Sequence, residues 1–151
     1  MYQASRSGLN AIRKLRRMMR SETDKTGIPG TVVTIHQPNF APWPGYYHKM
    51  MMADCFVYLD NVPFSKNSFQ NRNKIEMNGE ARWLTVPVLT KGEYATETRF
   101  IRVNNRTAWR KKHLSTFRVN YGKTPFFRWV YPRIEAVYLK NHVTLVALCI
   151  D

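Results

Sequence analysis

The run His36-Gln37-Pro38-Asn39-Phe40-Ala41-Pro42-Trp43-Pro44-Gly45-Tyr46-Tyr47 gathers an imidazole, two amides, a tryptophan and two tyrosines within twelve residues. His36 carries the side chain most able to exchange protons near neutral pH, which makes it a candidate acid or base. Gln37, Asn39, Trp43, Gly45 and Tyr46 are candidates for holding a substrate, set against packing roles in a rigid proline-rich loop. Asp60, in Leu59-Asp60-Asn61-Val62-Pro63, is a second catalytic candidate. A carboxylate there can act as a base or orient a substrate amine; the competing reading is a turn-forming aspartate bonded to its own backbone. In Ser68-Phe69-Gln70-Asn71-Arg72-Asn73-Lys74, a strand would place Gln70, Arg72 and Lys74 on one face and Asn71 and Asn73 on the other. That is a polar wall for a sugar or phosphate, with Arg72 able to fork to an anion, or else a charged edge strand that resists aggregation. In Trp109-Arg110-Lys111-Lys112-His113, helical spacing aligns Trp109, His113, Leu114, Phe117 and Tyr121 in one stripe that also contains Arg110. A guanidinium on an apolar face needs a partner or must snorkel. Arg110 is therefore a candidate anion contact, and His113 is either a ligand contact or a packing histidine.

These segments need elements to position them. Thr31–Ile35 is β-branched and apolar, as a short buried strand requires. Three prolines between His36 and Pro44 exclude regular structure there. Gly45–Ala53 suits a helix with Pro44 in its first turn, and Cys55–Leu59 a second strand. Strand, loop, helix and strand in this order imply a parallel pair. In such sheets ligands bind beyond the carboxyl ends of the strands, where His36 and Asp60 would share a rim. A helix N-terminus beside that rim offers free N–H groups to an anion. Asn78-Gly79 is a strong hairpin signal between Ser68–Met77 and Ala81–Leu89. Arg99–Val103 adds a strand. Thr107–Tyr121 reads as a helix capped near Asn105 or Thr107 and ended by Gly122. Phe126–Tyr138 is a second helix that Pro132 should kink or split, and Val143–Ile150 begins a third. The expected fold class is α/β, with a partly parallel central sheet, a β-hairpin insertion and C-terminal helices.

The chain has 151 residues, with 24 Lys and Arg against 10 Asp and Glu, a net charge of +14. That imbalance points to a polyanionic partner. Residues 1–30 carry seven of the basic and two of the acidic residues, and Leu9, Ile12, Leu15 and Met19 recur at helical spacing. They form a basic extension and linker, distinct from the α/β domain expected over 31–151. An upstream start is one account of the extension; a solvated tail and an arm for membrane or nucleic acid are others. The third helix ends without a cap or polar tail, as in a truncated chain. Cys55 and Cys149 form no CxxC pair, and two free thiols suit a reducing, cytoplasmic compartment. No apolar run reaches the roughly 20 residues of a membrane span. Walker, GxGxxG, GxSxG and HExxH motifs are absent and the four histidines are scattered, so no cofactor or metal is expected. No acidic residue falls between Glu97 and Glu135, a stretch rich in Lys, Arg and aromatics. A nucleic-acid-binding module over 99–133 is therefore an alternative to an enzyme.

Several ordered motifs carry a resemblance. His36-Gln37-Pro38-Asn39-Phe40 with Pro42-Trp43 and Gly45-Tyr46 resembles the opening motif of the WbqC-like family. Ala53-Asp54, Phe56-Val57, Leu59-Asp60-Asn61-Val62, Ser68-Phe69-Gln70-Asn71-Arg72-Asn73, Trp83-Leu84-Thr85-Val86-Pro87-Val88 and Trp109-Arg110-Lys111-Lys112-His113 follow in the same order. The likeness runs from about Val32 to the end of the chain. It implies a bacterial protein of O-antigen or other surface-polysaccharide biosynthesis, a transferase acting on an activated amino sugar by acyl or aminoacyl transfer. The partner so implied is an anionic nucleotide-sugar, with an aminoacyl-tRNA as a conceivable donor; an inactive gene fragment is the contrary reading.

Overall fold

A computed structural model of the chain describes residues 31–90 and 95–151. The basic segment 1–30 lies outside the described residues. The chain divides into two compact units. The described part of the first is residues 31–36 with Trp43–Val57; the second is Gln37–Pro42 with Tyr58–Asp151.

The first unit is the expected strand–helix–strand. Strand β1 (Val33–His36) and strand β2 (Cys55–Tyr58) pair in parallel, and helix α1 (Pro44–Met52) connects them. Asp54 ties the two strands at their start. Its Oδ2 accepts the Val32 N–H at 2.8 Å, and its own N–H donates to the Val32 carbonyl at 2.8 Å. At the other end of β1, Lys49 Nζ on α1 donates to the Ile35 carbonyl at 2.9 Å. Pro44 occupies the first turn of α1, where its missing N–H costs nothing.

The second unit holds a hairpin, β3 (Arg72–Met77) with β4 (Glu80–Thr85), antiparallel with Met77 opposite Glu80. Asn78 at φ 53° and Gly79 at φ 81° form the two-residue turn, both in the left-handed region that a type I′ hairpin needs. A shorter pair follows, β5 (Val88–Leu89) with β6 (Arg102–Val103), also antiparallel. The described strands thus fall into three two-stranded sheets. The 3₁₀ turn Thr98–Phe100 occupies the first part of the stretch expected as strand Arg99–Val103.

Three helices complete this unit. Helix α2 (Trp109–Tyr121) has Ala108 at its N-cap rather than a polar side chain, and Gly122 follows its last turn. Helix α3 (Phe127–Leu139) runs through Pro132 without being split. Helix α4 (Leu145–Ile150) is capped by Thr144, whose side chain accepts the Ala147 N–H. The chain before α4 docks on β6: Leu145 N–H donates to the Ile101 carbonyl at 2.8 Å and Val103 N–H to the Val143 carbonyl at 3.0 Å. The core joins Phe40, Leu84, Val86, Ile101, Val103, Trp109, Tyr138, Leu145 and Leu148. The architecture is therefore mixed α/β with a parallel strand pair, a hairpin and C-terminal helices. Among the described residues no helix is long and apolar enough to cross a membrane.

Candidate functional site

In the first unit the sequence candidates stand around the start of α1. His36 closes β1, and its ring meets Tyr46 edge-on, centroids 4.7 Å apart. Tyr46 is buried and also packs on Phe56 at 5.4 Å. Trp43, at the N-cap, is 63% exposed. Gly45 makes its pose possible: a β-carbon there would lie 1.7 Å from the Trp43 ring. Glycine thus leaves the indole room to fold over the helix start.

In the second unit Gln70 is the centre of a buried polar network. Its Nε2 donates to Gln37 Oε1 at 3.1 Å and to Thr98 Oγ1 at 3.2 Å; its Oε1 accepts the Ser65 N–H at 2.8 Å. Thr98 Oγ1 donates onward to the Val62 carbonyl at 2.9 Å. Ser68–Asn71 are turn rather than strand, because these side-chain bonds compete with ladder formation. Gln70 and Asn71 are therefore buried, not displayed on a strand face. Asn71 Nδ2 donates to the Val86 carbonyl at 3.1 Å, while its Oδ1 is enclosed without a partner among the described residues. Asn73 Nδ2 donates to the carbonyl of Ala41, a residue held at φ 45°. Asn39 is half-buried on that segment. Asp60, also half-buried, accepts the Arg99 N–H with its carbonyl at 2.9 Å, and its carboxylate has no ion-pair partner among the described residues.

Arg72 and Lys74 do lie on the regular strand, and the register explains what they do. Arg72 is opposite Thr85 and Lys74 opposite Trp83, so these four share one face of the hairpin. The Arg72 guanidinium sits 4.0 Å from the Trp83 ring centroid and Lys74 Nζ 5.2 Å from it. Phe69 meets Trp83 at 5.8 Å. Trp83 and Phe69 are 43% and 52% exposed. Arg72 Nε is enclosed with no acceptor among the described residues. The result is an aromatic ledge carrying two cations, each worth about 0.5–1 kcal/mol against the ring at an exposed site. Residue typing picked out Arg72 and Lys74 but missed Phe69 and Trp83. Counting back from Asn78-Gly79 would have found Trp83, since that turn fixes it opposite Lys74.

Arg110 and His113 occupy the start of α2. Arg110 Nη1 donates to Asn105 Oδ1 at 2.6 Å, and its guanidinium lies 4.5 Å from the Trp109 centroid. Its Nε and Nη2 are enclosed with no acceptor among the described residues, and desolvation pulls its pKa below the usual arginine value. His113 is buried, with Nδ1 3.2 Å from Tyr138 Oη and Nε2 3.1 Å from the Thr85 carbonyl. A carbonyl can only accept, so Nε2 carries the proton and Nδ1 accepts from the tyrosine. Burial pushes the His113 pKa down to about 4, so the ring is neutral. Both nitrogens are spent within the fold. Cys149 is half-buried, and desolvation pushes its thiol up to about 12, far from a reactive thiolate. Among the described residues no three His, Cys, Asp or Glu side chains group to hold a metal.

The scaffold is mixed α/β, and its hairpin carries two cations and two exposed aromatic rings together. The chain belongs to the WbqC-like protein family, which matches over residues 37–151. It is 30% identical over 116 residues, 77% of its length, to Uncharacterized protein Rv1507c of Mycobacterium tuberculosis (strain ATCC 25618 / H37Rv). The chain spans about half the length of that relative. No solved structure matches it.

Proposed function

We propose that this WbqC-like chain serves bacterial O-antigen or related surface-polysaccharide biosynthesis, as a transferase of the cytoplasm that acts on an activated amino sugar. The observation that carries the reading is the hairpin ledge. A nucleotide-sugar brings an aromatic base and a diphosphate, and the ledge offers Trp83 and Phe69 for the first and Arg72 and Lys74 for the second. The Arg72 guanidinium on the ledge is assigned to fork to a phosphate oxygen, and Arg110 is assigned as a further anion contact. Gln37, Gln70, Asn71 and His113 act through the backbone they hold, whereas Asn39, Trp43, Gly45 and Tyr46 are assigned to substrate contact. Acyl or aminoacyl transfer to the neutral sugar amine forms an amide bond and breaks the donor's ester or thioester bond, so a base must take the proton that the attacking nitrogen loses while the donor's alcohol or thiol leaves. His36 is assigned that role and Asp60 the orientation of the amine. His36→Ala is expected to abolish acylation of a nucleotide-linked amino sugar while leaving the unfolding transition in place. Unchanged turnover would remove the assignment.

A second reading, nucleic-acid binding, draws on α3, where exposed Trp129 lies 5.3 Å beneath the Arg128 guanidinium. It predicts binding to tRNA that weakens steeply with salt, as phosphate neutralisation releases counterions.

A further inference from the structure

The hairpin leaves one strand edge open. In a two-residue type I′ hairpin the residues flanking the turn, Met77 and Glu80, form a hydrogen-bonded pair, and pairing alternates from there. Ala81, Trp83 and Thr85 therefore turn their N–H and C=O groups away from β3. Three contacts agree with this phase. Glu76 N–H, on the corresponding outer edge of β3, donates to Tyr121 Oη at 3.0 Å. Lys74 N–H turns to Asn73 Oδ1 at 2.8 Å. The Thr85 carbonyl accepts from His113. Past Thr85 the backbone groups of Trp83 and Ala81 have no partner among the described residues.

A groove of about 700 Å³ runs between this edge and α2, lined by Trp83, Thr85, Thr107, Trp109, Lys112 and Thr116 among others. A second hollow of about 450 Å³ continues it toward the hairpin tip and shares Met77, Ala108, Lys112 and Thr116 with it. Neither lining contains an Asp or Glu. Lys111 and Lys112 have no ion pair among the described residues, whereas Arg82 is paired with Glu80. Trp109 is buried in the groove wall, and its indole N–H has no acceptor among the described residues.

We propose that the free edge of β4 is a docking site for an extended acidic peptide segment of a partner protein, added as a third strand. Alternating N–H and C=O groups along a strand are complementary to another extended backbone. The uncompensated lysines on the facing helix select carboxylates on that segment, and they set the sign of the partner's charge. The site shares Trp83 with the ledge but uses different atoms: the ledge uses the exposed indole ring, the docking edge the outward backbone groups of Trp83 and Ala81.

The test uses the whole chain and a fluorescein-labelled hexapeptide of alternating glutamate and valine, read by anisotropy at low salt. Saturable binding is expected. N-methylation of alternate peptide amides is expected to weaken it by at least about tenfold, since it removes the backbone bonds on which strand addition depends. Ala81→Pro removes an outward N–H without breaking the β3–β4 ladder and should weaken binding similarly; Lys112→Glu should weaken it in a salt-dependent way. If Ala81→Pro fails to fold, the N-methylated peptide on the native chain decides the matter. No binding by the parent peptide, equal binding by its N-methylated form, or displacement by an oligothymidylate that binds more tightly would overturn the proposal.

Discussion

Lowering the pH should destabilise this protein through His113, and the structure sets both the window and the size. The imidazole is neutral in the fold with a pKa near 4, depressed first by burial and then by Lys112, and raised in part by its bond to the Thr85 carbonyl. In the unfolded chain it returns to about 6.5. Because the folded value lies below the unfolded one, the stability is intact above pH 6.5. Below it the unfolded state takes up a proton that the fold refuses, and the loss is complete once pH passes 4. A gap of about 2.5 units at about 1.36 kcal/mol each gives roughly 3–4 kcal/mol, a large fraction of a domain's usual stability. The assay is urea denaturation at pH 7.5, 6.5, 5.5 and 4.5 for the native chain and for His113→Gln. The glutamine can still donate to the Thr85 carbonyl but does not titrate. The variant is expected to be less stable at pH 7.5, because it loses aromatic contacts with Trp109 and Tyr138. Its stability should then fall less steeply, so that the two curves converge toward pH 4.5. Parallel curves would refute a neutral, buried His113.

Three further outcomes follow from the geometry. Gln70→Ala should cost about 2–3 kcal/mol by denaturant titration, since three direct bonds to Gln37, Thr98 and Ser65 are lost at about 1 kcal/mol each; a cost near zero would mean the network is not formed. Gly45→Ala should displace the exposed Trp43 ring with little loss of stability, visible as a shift in indole fluorescence, because the added β-carbon meets a movable side chain rather than backbone. Iodoacetamide at pH 8 should label one thiol, the exposed Cys55, and reach Cys149 only on unfolding.

What the sequence shows and what it hides have physical causes. The parallel pair was legible because β-branched runs flank a proline-interrupted loop and a short helix, and local pattern suffices for that. The hairpin was legible because Asn-Gly tolerates two positive φ values in a row. The turn at Ser68–Asn71 was not, since residues this polar fit an exposed strand equally well. Only tertiary bonds from Gln70 to Gln37 and Thr98 decide against it. The start of α2 was expected to carry a polar cap. Instead Asn104 and Asn105 spend their side chains on Arg106, Arg110 and the His142 carbonyl. Pro132 was expected to interrupt α3 and does not; the helix continues, and Tyr131 and Tyr138 are buried on either side of it. At the site, residue chemistry identified Arg72, Lys74 and Arg110. The ledge itself needed cross-strand register, which brings Trp83 from eleven residues beyond Arg72 onto the same face.

The measurement that bears most directly on the ledge is calorimetric titration of the native chain and of Arg72→Ala with a UDP-linked amino sugar. The account predicts saturable binding to the native chain, weakened by about tenfold or more in the variant, with thermal midpoints within a few degrees of each other. Equal affinity for both proteins, or no heat of binding to the native chain, would contradict it.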